Sequence, residues 1–230
     1  MKTLKTYHHL IYAIIFITDL IIGIFKLHQL EYFVKPAILT WIIIVFIQMT
    51  SAKSIFFRWG LLAFLCSLLG DVILLFSGYN EIFFLLGLSS FLLAHLFFIL
   101  TFNKHKYIKP SFLKSHPIWI FIVVAAGITL FTGLFTHLDL VMKIAVFIYA
   151  SAISAMVLMA INRKNQVNNI SFIWVLAGAV LFFISDGILA INKFWVNIPF
   201  SSFWIMSTYM LAQYFILIGL VNQENKPSMN

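Results

Sequence analysis

The sequence predicts an all-α fold, a polytopic membrane helix bundle with eight transmembrane helices. Hydrophobic residues make up 63% of the 230 residues and charged residues only 10%, a balance that a water-soluble domain does not have. The apolar residues also form a series of runs long enough to cross a bilayer. No segment is long or polar enough to make a separate soluble domain, so residues 1–230 are predicted to form a single integral-membrane domain.

A helix that crosses the hydrocarbon needs roughly 20 mainly apolar residues. Applied along the chain, this length gives eight spans at about residues 8–27, 34–50, 56–77, 82–102, 117–136, 140–161, 171–192 and 199–221. The first run follows Lys2 and Lys5 and could imitate a signal peptide. It contains Asp19, lacks an Ala-x-Ala cleavage pattern and is followed by further spans, so it is predicted to be the first membrane helix.

The orientation of the spans follows from the Lys and Arg residues near their ends, because cytoplasmic loops are enriched in both. One side has eleven: Lys2, Lys5, Lys53, Arg58, Lys104, Lys106, Lys109, Lys114, Arg163, Lys164 and Lys226. The other side has four: Lys26, Lys35, Lys143 and Lys193. Both termini are therefore predicted to be cytoplasmic. The short loops are typical of a protein of the bacterial cytoplasmic membrane, although an endoplasmic reticulum protein would look similar.

The loop from Asn103 to His116 has the densest positive charge and is predicted to lie against anionic lipid headgroups, with His105 and His116 at the surface. The net charge of +8 does not indicate nucleic-acid binding, because the basic residues lie in short loops between apolar runs.

Neither metal-dependent hydrolysis nor serine hydrolysis is well supported by the sequence. A lone cysteine, Cys66, excludes an internal disulfide and a multi-cysteine metal site. There is no His-Glu-x-x-His motif and no intramembrane cluster of histidines, so no metal site is predicted. Serine hydrolysis is not favoured either, since no Gly-x-Ser-x-Gly motif occurs.

Two aspartates interrupt the apolar spans, and both are predicted to be functional. Asp71 lies in the third span and Asp186 in the seventh, each after a small residue and before aliphatic residues. An ionisable group inside lipid is costly and normally faces the protein interior. Each lies about six residues from the non-cytoplasmic end of its span, which is roughly 9 Å below that interface.

The two aspartates are also related by a shift of 115 residues, which places the first four spans over the last four. Two halves of four spans each would be parallel repeats with a pseudo-symmetry axis along the membrane normal. Because identity between the halves is slight, the pattern fits either a duplication or a shared hydrophobic pattern that arose by chance.

Other polar residues inside the spans have both a functional and a structural interpretation. His95 is a proton carrier or ligand, or else a packed structural residue. Tyr209 and Gln213 share one face of the eighth helix and either point into a common pocket or bond neighbouring helices. Lys35, with Pro36 at the predicted start of the second span, either holds a lipid phosphate or extends to the interface. Asp19, in the first span, either joins the aspartate pair or forms a structural hydrogen bond to a neighbouring helix, and the second is favoured.

The aspartates indicate acid–base chemistry. Buried carboxylates that lie close together cannot both ionise at low cost, so one keeps its proton and acts as an acid while the other acts as a base. This division suits reactions that pass through an oxocarbenium ion. Ion-coupled transporters show paired intramembrane aspartates too, so a proton-coupled transporter of a small amphipathic substrate is the alternative. A non-catalytic lipid-binding protein is a third.

Taken together, these motifs resemble the YhhN-type lysoplasmalogenase family over nearly the whole chain. The motifs that support the resemblance are, in chain order, Lys35-Pro36, Gly70-Asp71, Ala94-His95, Tyr149 with Met156, Ser185-Asp186 with Leu189-Ala190, and Tyr209 with Gln213. One position departs from the pattern: Phe98 stands three residues after His95, where the family leads one to expect tyrosine. That departure removes a hydroxyl from this position.

The resemblance implies hydrolysis of the sn-1 vinyl ether of lysoplasmalogens to a fatty aldehyde and glycerophosphoethanolamine or glycerophosphocholine, without a metal or organic cofactor. It implies that Asp71 and Asp186 are the catalytic pair. It also implies that the substrate or its water is bound by Lys35, His95, Tyr149, Tyr209 and Gln213. The expected partners are a lysophospholipid substrate and the bilayer, and no oligomeric state is predicted.

Overall fold

The structure is a computed structural model that describes residues 4–25, 27–52, 54–103 and 111–224, and these residues are mainly helical and contain no strand. The helices are α1 Thr6–Ile24, α2 His28–Met49, α3 Ile55–Leu74, α4 Glu81–Phe102, α5 Phe112–Ser115, α6 Ile118–Leu134, α7 Leu140–Asn162, α8 Asn169–Phe194 and α9 Ser201–Glu224. Eight of them are long and apolar enough to cross a membrane, and only the four-residue α5 is not. The predicted fold class is confirmed.

The start of α2 differs from the prediction. The helix begins at His28, so Lys35 and Pro36 lie in its interior and do not open it. Hydropathy locates only the apolar part of a helix, and the first turns of α2 contain polar residues such as Glu31. Proline is tolerated there although it cannot donate the usual backbone hydrogen bond to Tyr32.

Polar residues at the span ends cap the N-termini of four of the long helices. The side chains of Ser54, Asn80, Asp139 and Asn168 each accept a hydrogen bond from a backbone N–H in the first turn of α3, α4, α7 and α8 respectively. These caps satisfy donors that a helix leaves without internal partners. They fix where the connecting segments end and the spans begin.

The closest helix pairs are α3 with α4 and α8 with α9. In the second pair, a Cβ atom added to Gly178 would lie 2.7 Å from the carbonyl oxygen of Ala212, and one added to Gly219 would lie 2.8 Å from the amide nitrogen of Val175. Small residues allow helix backbones in membranes to approach this closely. Ser171 adds a hydrogen bond of 2.6 Å to the carbonyl of Gly219.

Aromatic rings join the two pairs. Phe182 of α8 packs edge-on against Phe91, His95 and Phe98 of α4, with ring centroids 6.3, 4.8 and 6.5 Å away. Phe91 also packs edge-on against Tyr209 of α9. Such T-shaped contacts are the arrangement that aromatic rings prefer. These rings form the part of the core that joins α4 to α8 and α9, and the same core continues into α2, α3 and α7.

The outer surface is apolar. Phe33, Phe121 and Leu140 are 76%, 70% and 74% exposed, as expected for side chains that face lipid. The chain is therefore an integral, multi-pass membrane protein.

The structure shows only part of the predicted charge asymmetry. Lys2, Lys26, Lys53, Lys226 and residues 104–110, including His105, lie outside the described residues. His116 is exposed and stacks on Phe112, as predicted for a surface residue. The orientation of the protein in the membrane stays a prediction.

Arg163, which the sequence places in a polar loop, is fully buried. Its guanidinium donates to Ser171 at 2.6 Å and to Gln223 at 2.8 Å and lies over the ring of Phe102. Burial lowers the pKa of Arg163 to about 9, so the side chain is still charged at neutral pH. This cation joins α7, α8 and α9 at one end of the bundle and does not face headgroups.

We expect Gly178→Ala to destabilise the protein by about 1–3 kcal/mol, because the new methyl group overlaps the backbone of α9. Thermal unfolding in detergent measures the change. Gly133→Ala is the matched control: its Cβ would lie 3.5 Å from Trp195, an ordinary contact, so its melting temperature should not fall. Equal melting temperatures for the two variants would contradict the close approach of α8 and α9.

Candidate active site

A cavity of about 510 Å³ opens at the end of the bundle where α2 begins and α3 ends. Its wall contains Asp71 from α3, Asp186 from α8 and Tyr209 from α9. Lys35 and Lys193 also line it, and most of the remaining wall is apolar. The volume lies within the usual range for small-molecule sites. Both intramembrane aspartates therefore face a single space.

Glycines allow α4 to pack against α3 beside Asp71. A Cβ atom on Gly70 would lie 2.7 Å from the ring of Phe91, and one on Gly87 would lie 2.7 Å from Leu74. Phe91 and Leu74 both line the cavity. The Gly70-Asp71 motif thus has a packing reason: the glycine admits the aromatic ring that forms the wall next to the carboxylate.

Asp71 is held by a tyrosine from a distant part of the chain. The hydroxyl of Tyr209 donates to Asp71 Oδ2 at 3.0 Å. The ring of Tyr209 is fixed in turn by edge-on contacts with Phe91 and Phe182, at 5.8 and 5.4 Å between centroids. The hydrogen bond therefore orients the carboxylate from a ring that cannot easily move.

Asp186 has a similar arrangement with a different helix. The hydroxyl of Tyr149, on α7, donates to Asp186 Oδ2 at 2.5 Å. His95 Nε2 lies 3.6 Å from the same oxygen, and its ring packs edge-on against those of Tyr149 and Phe182. His95 is completely buried, whereas the carboxylate of Asp186 is 13% exposed. His95 therefore contacts Asp186 from inside the protein and does not line the cavity.

Each carboxylate thus accepts a tyrosine hydroxyl and keeps a face toward the cavity. Hydrogen bonds to charged groups are stronger than neutral ones, and in a site of low dielectric they hold the acceptor in place. The described residues contain no group of three His, Cys, Asp or Glu side chains that could hold a metal ion. The cavity therefore presents two carboxyl groups, each oriented by a tyrosine, to a molecule bound in it.

The predicted site residues divide into two sets. Lys35 and Tyr209 line the cavity with the aspartates, whereas His95, Tyr149 and Gln213 do not. Gln213 is fully buried one turn from Tyr209, and its amide has no hydrogen-bond partner among the described residues. Asp19 is also buried outside the cavity wall, and its Oδ1 has no such partner. The hydrogen bond predicted for Asp19 is not seen at that oxygen.

Sequence reasoning missed Lys193 as a residue of the site. It follows Asp186 by seven residues, which is two helical turns, so the two share a face of α8. This seven-residue spacing is the feature of the sequence that could have identified Lys193. Lys193 Nζ lies 5.0 Å from the centre of the Phe84 ring, and Lys35 Nζ is 2.8 Å from Glu31 Oε2. Two cations therefore stand at the cavity, one on α2 and one on α8.

Comparison with known proteins gives a consistent result. The model of the YhhN family matches residues 30–220. Lysoplasmalogenase TMEM86B of Mus musculus is 31% identical over 157 residues, which cover 68% of this chain and 61% of the mouse protein. The Sus scrofa protein of that name is 30% identical over 73% of this chain and 65% of its own length, and the Homo sapiens protein is 28% identical over 68% and 61%.

The matched region thus spans about three fifths of the mouse and human relatives. No solved structure matches the chain.

The Tyr149 hydrogen bond gives a stability prediction. Tyr149→Phe leaves a buried carboxylate oxygen without its donor, so we expect the free energy of unfolding to fall by about 1–3 kcal/mol. Thermal unfolding in detergent measures this. Tyr7→Phe removes the same hydroxyl from a ring that is 46% exposed and should leave the melting temperature unchanged. A Tyr149→Phe protein as stable as the control would show that the contact contributes nothing.

Proposed function

The chain belongs to the YhhN family, and on that premise we propose that it is a lysoplasmalogenase that hydrolyses the sn-1 vinyl ether of lysoplasmalogens. The products are a fatty aldehyde and glycerophosphoethanolamine or glycerophosphocholine. The observation that best supports the proposal is that Asp71 and Asp186, from separate helices, line one cavity. The lysoplasmalogenase names of the mammalian relatives support the choice of substrate.

The first step is proton transfer to carbon. One of the two aspartates is protonated and gives its proton to the β-carbon of the vinyl ether. The α-carbon then becomes part of an oxocarbenium ion. The second aspartate, which is ionised, stabilises this cation at short range. A pair of oriented carboxyl groups supplies both functions.

Water completes the reaction. As water adds to the α-carbon, the ionised aspartate takes one of its protons, and the product is a neutral hemiacetal. The hemiacetal collapses when its hydroxyl proton returns to the first aspartate and the leaving glycerol oxygen receives the proton of the second. Both carboxyl groups end in their starting states, so the cycle needs no cofactor.

The neighbouring side chains have supporting roles in this proposal. Tyr209 and Tyr149 hold the two carboxyl groups at the cavity, and the buried His95 packs against Tyr149 and lies 3.6 Å from Asp186. The role of Gln213 in binding the substrate or its water stays a prediction. Lys35, with Lys193 on the facing helix, holds the substrate phosphate. Ammonium groups are common phosphate ligands. The alkenyl chain of the substrate lies along the apolar wall.

We propose that both termini are cytoplasmic, from the excess of Lys and Arg on that side. The cavity then opens toward the non-cytoplasmic interface, where the polar part of a lysolipid lies. Location in a bacterial cytoplasmic membrane stays a prediction.

We expect Asp71→Asn and Asp186→Asn each to reduce aldehyde release from lysoplasmenyl-ethanolamine to under a tenth of the wild-type rate, about 1.4 kcal/mol or more of barrier. The amide keeps the shape of the side chain but cannot exchange the proton. Purified protein in detergent is assayed for aldehyde, with folding checked by thermal unfolding.

The matched control is Asp139→Asn, at an exposed cap of α7 that asparagine satisfies equally well. Its activity should equal that of the wild type. If either cavity variant keeps more than a tenth of the activity, the aspartate pair is not the acid and base. If the folded wild type releases no aldehyde but takes up substrate into proteoliposomes in response to a pH gradient, the protein is a transporter.

Tyr209→Phe tests whether orientation of Asp71 matters to the chemical step. We expect kcat to fall by about 10- to 100-fold with KM within about twofold of the wild type, because the hydroxyl positions the acid–base pair and contributes little to binding the lipid. Tyr214→Phe, on the same helix but outside the cavity wall, serves as control. A rise in KM at constant kcat would instead assign Tyr209 to substrate binding.

A further inference from the structure

A second, polar recess adjoins the candidate active site. It has a volume of about 440 Å³ and is lined by Glu31, Tyr32 and Lys35 of α2 and by the turn after α3, including Ser77 and Tyr79. Lys35, Leu74, Leu75 and Ser77 line both this recess and the cavity that contains the aspartates. A molecule bound in the cavity can therefore extend into the recess.

The two spaces are close enough for one lipid molecule to occupy both. Leu75 lines both of them and follows Asp71 by four residues, a rise of about 6 Å along α3. In a lysoplasmalogen, the phosphate is separated from the ether oxygen by the three-carbon glycerol unit. Because Lys35 also lines both spaces, it is available to the phosphate of a substrate whose vinyl ether is in the cavity.

The recess presents a positive and a negative group side by side. Lys35 Nζ lies 2.8 Å from Glu31 Oε2, and the two side chains are only 21% and 15% exposed. An ion pair of this spacing on a helix surface is common and contributes little to stability. Here both members line a concave wall beside the cavity, where the partial loss of water strengthens their attraction for a charged ligand.

Aromatic rings lie next to the carboxylate. Tyr32 and Tyr79 are 36% and 77% exposed, and their hydroxyl oxygens are 3.5 Å apart, so one ring from each side bounds the recess. A carboxylate and aromatic faces are groups that attract an organic ammonium ion.

We propose that this recess binds the zwitterionic headgroup of the lysophospholipid, with the phosphate on Lys35 and the ammonium at Glu31 between Tyr32 and Tyr79. The charges of the wall mirror those of a phosphoethanolamine or phosphocholine group. The inference rests on the proposed function, and it adds that the protein selects substrates that have a cationic headgroup.

The experiment compares Glu31→Gln with the wild type on three alkenyl substrates, lysoplasmenyl-ethanolamine, lysoplasmenyl-choline and the amine-free alkenyl-glycerol-phosphate. We expect kcat/KM for the two amine-containing substrates to fall about tenfold through KM, because a charge-assisted contact is lost. The value for the amine-free substrate should stay the same or rise. Equal loss on all three substrates, or no loss on any, would overturn the proposal.

Two further variants separate loss of the headgroup contact from a general loss of activity. Glu81→Gln, at the exposed start of α4 on the same side of the bundle and outside both cavities, should behave as the wild type. Tyr79→Leu, at a largely exposed position, should lower kcat/KM for the choline substrate more than for the amine-free one. If Tyr79→Leu leaves unchanged the ratio of kcat/KM for the choline substrate to kcat/KM for the amine-free substrate, Tyr79 is not part of the site. This test does not depend on whether Glu31→Gln folds.

A binding measurement separates this inference from the proposed function. The saturated-ether lysophosphoethanolamine cannot be hydrolysed, and its Kd for wild type and Glu31→Gln should differ about tenfold, whereas the amine-free saturated analogue should bind both equally. If no aldehyde is ever released but this difference is found, the function is wrong and the headgroup site stands. Soluble phosphocholine should not displace the lysolipid at equal concentration, because it lacks the chain; displacement would assign the recess to a free metabolite.

Discussion

The structure depends on how two carboxyl groups are accommodated among apolar helices. A carboxylate without partners in such surroundings is expensive, and Asp71 and Asp186 solve the problem in the same way, each by accepting the hydroxyl of a tyrosine from another helix. The rings of these tyrosines are held by aromatic contacts between α4, α7, α8 and α9. The aromatic packing around the cavity and the orientation of its two carboxyl groups therefore depend on one another.

Much of the fold was predictable from the sequence because it depends on each segment's own composition. Eight apolar runs gave eight spans, and the cost of a charge in lipid singled out Asp71 and Asp186. The start of α2 was wrong because a helix can continue through polar residues beyond the hydrocarbon, where hydropathy has no signal. Arg163 likewise looks like a loop cation, and only the neighbouring helices show that it is buried.

The candidate site was predictable only in part, because sequence spacing relates residues within one helix and not residues on different helices. Spacing along one helix puts Tyr209 with Gln213, or Asp186 with Lys193, on a shared face. It does not say which helix lies opposite, so the pairing of Tyr149 with Asp186 and of Tyr209 with Asp71, across 37 and 138 residues, needed the structure. Glu31 and Tyr79 gave no signal at all, since an exposed tyrosine and an ion pair within one helix are ordinary features until a shared recess brings them together.

The division of the bundle into close helix pairs has a mechanical consequence. Asp186 and Tyr209 belong to the α8–α9 pair, whose backbones meet at Gly178 and Gly219, whereas Asp71 belongs to the α3–α4 pair. The separation of the two carboxyl groups is therefore set by how one pair packs against the other. The hydrogen bond from Tyr209 to Asp71 crosses between the two pairs, so the contact that orients one carboxyl group also fixes its position relative to the helix pair that contains the other.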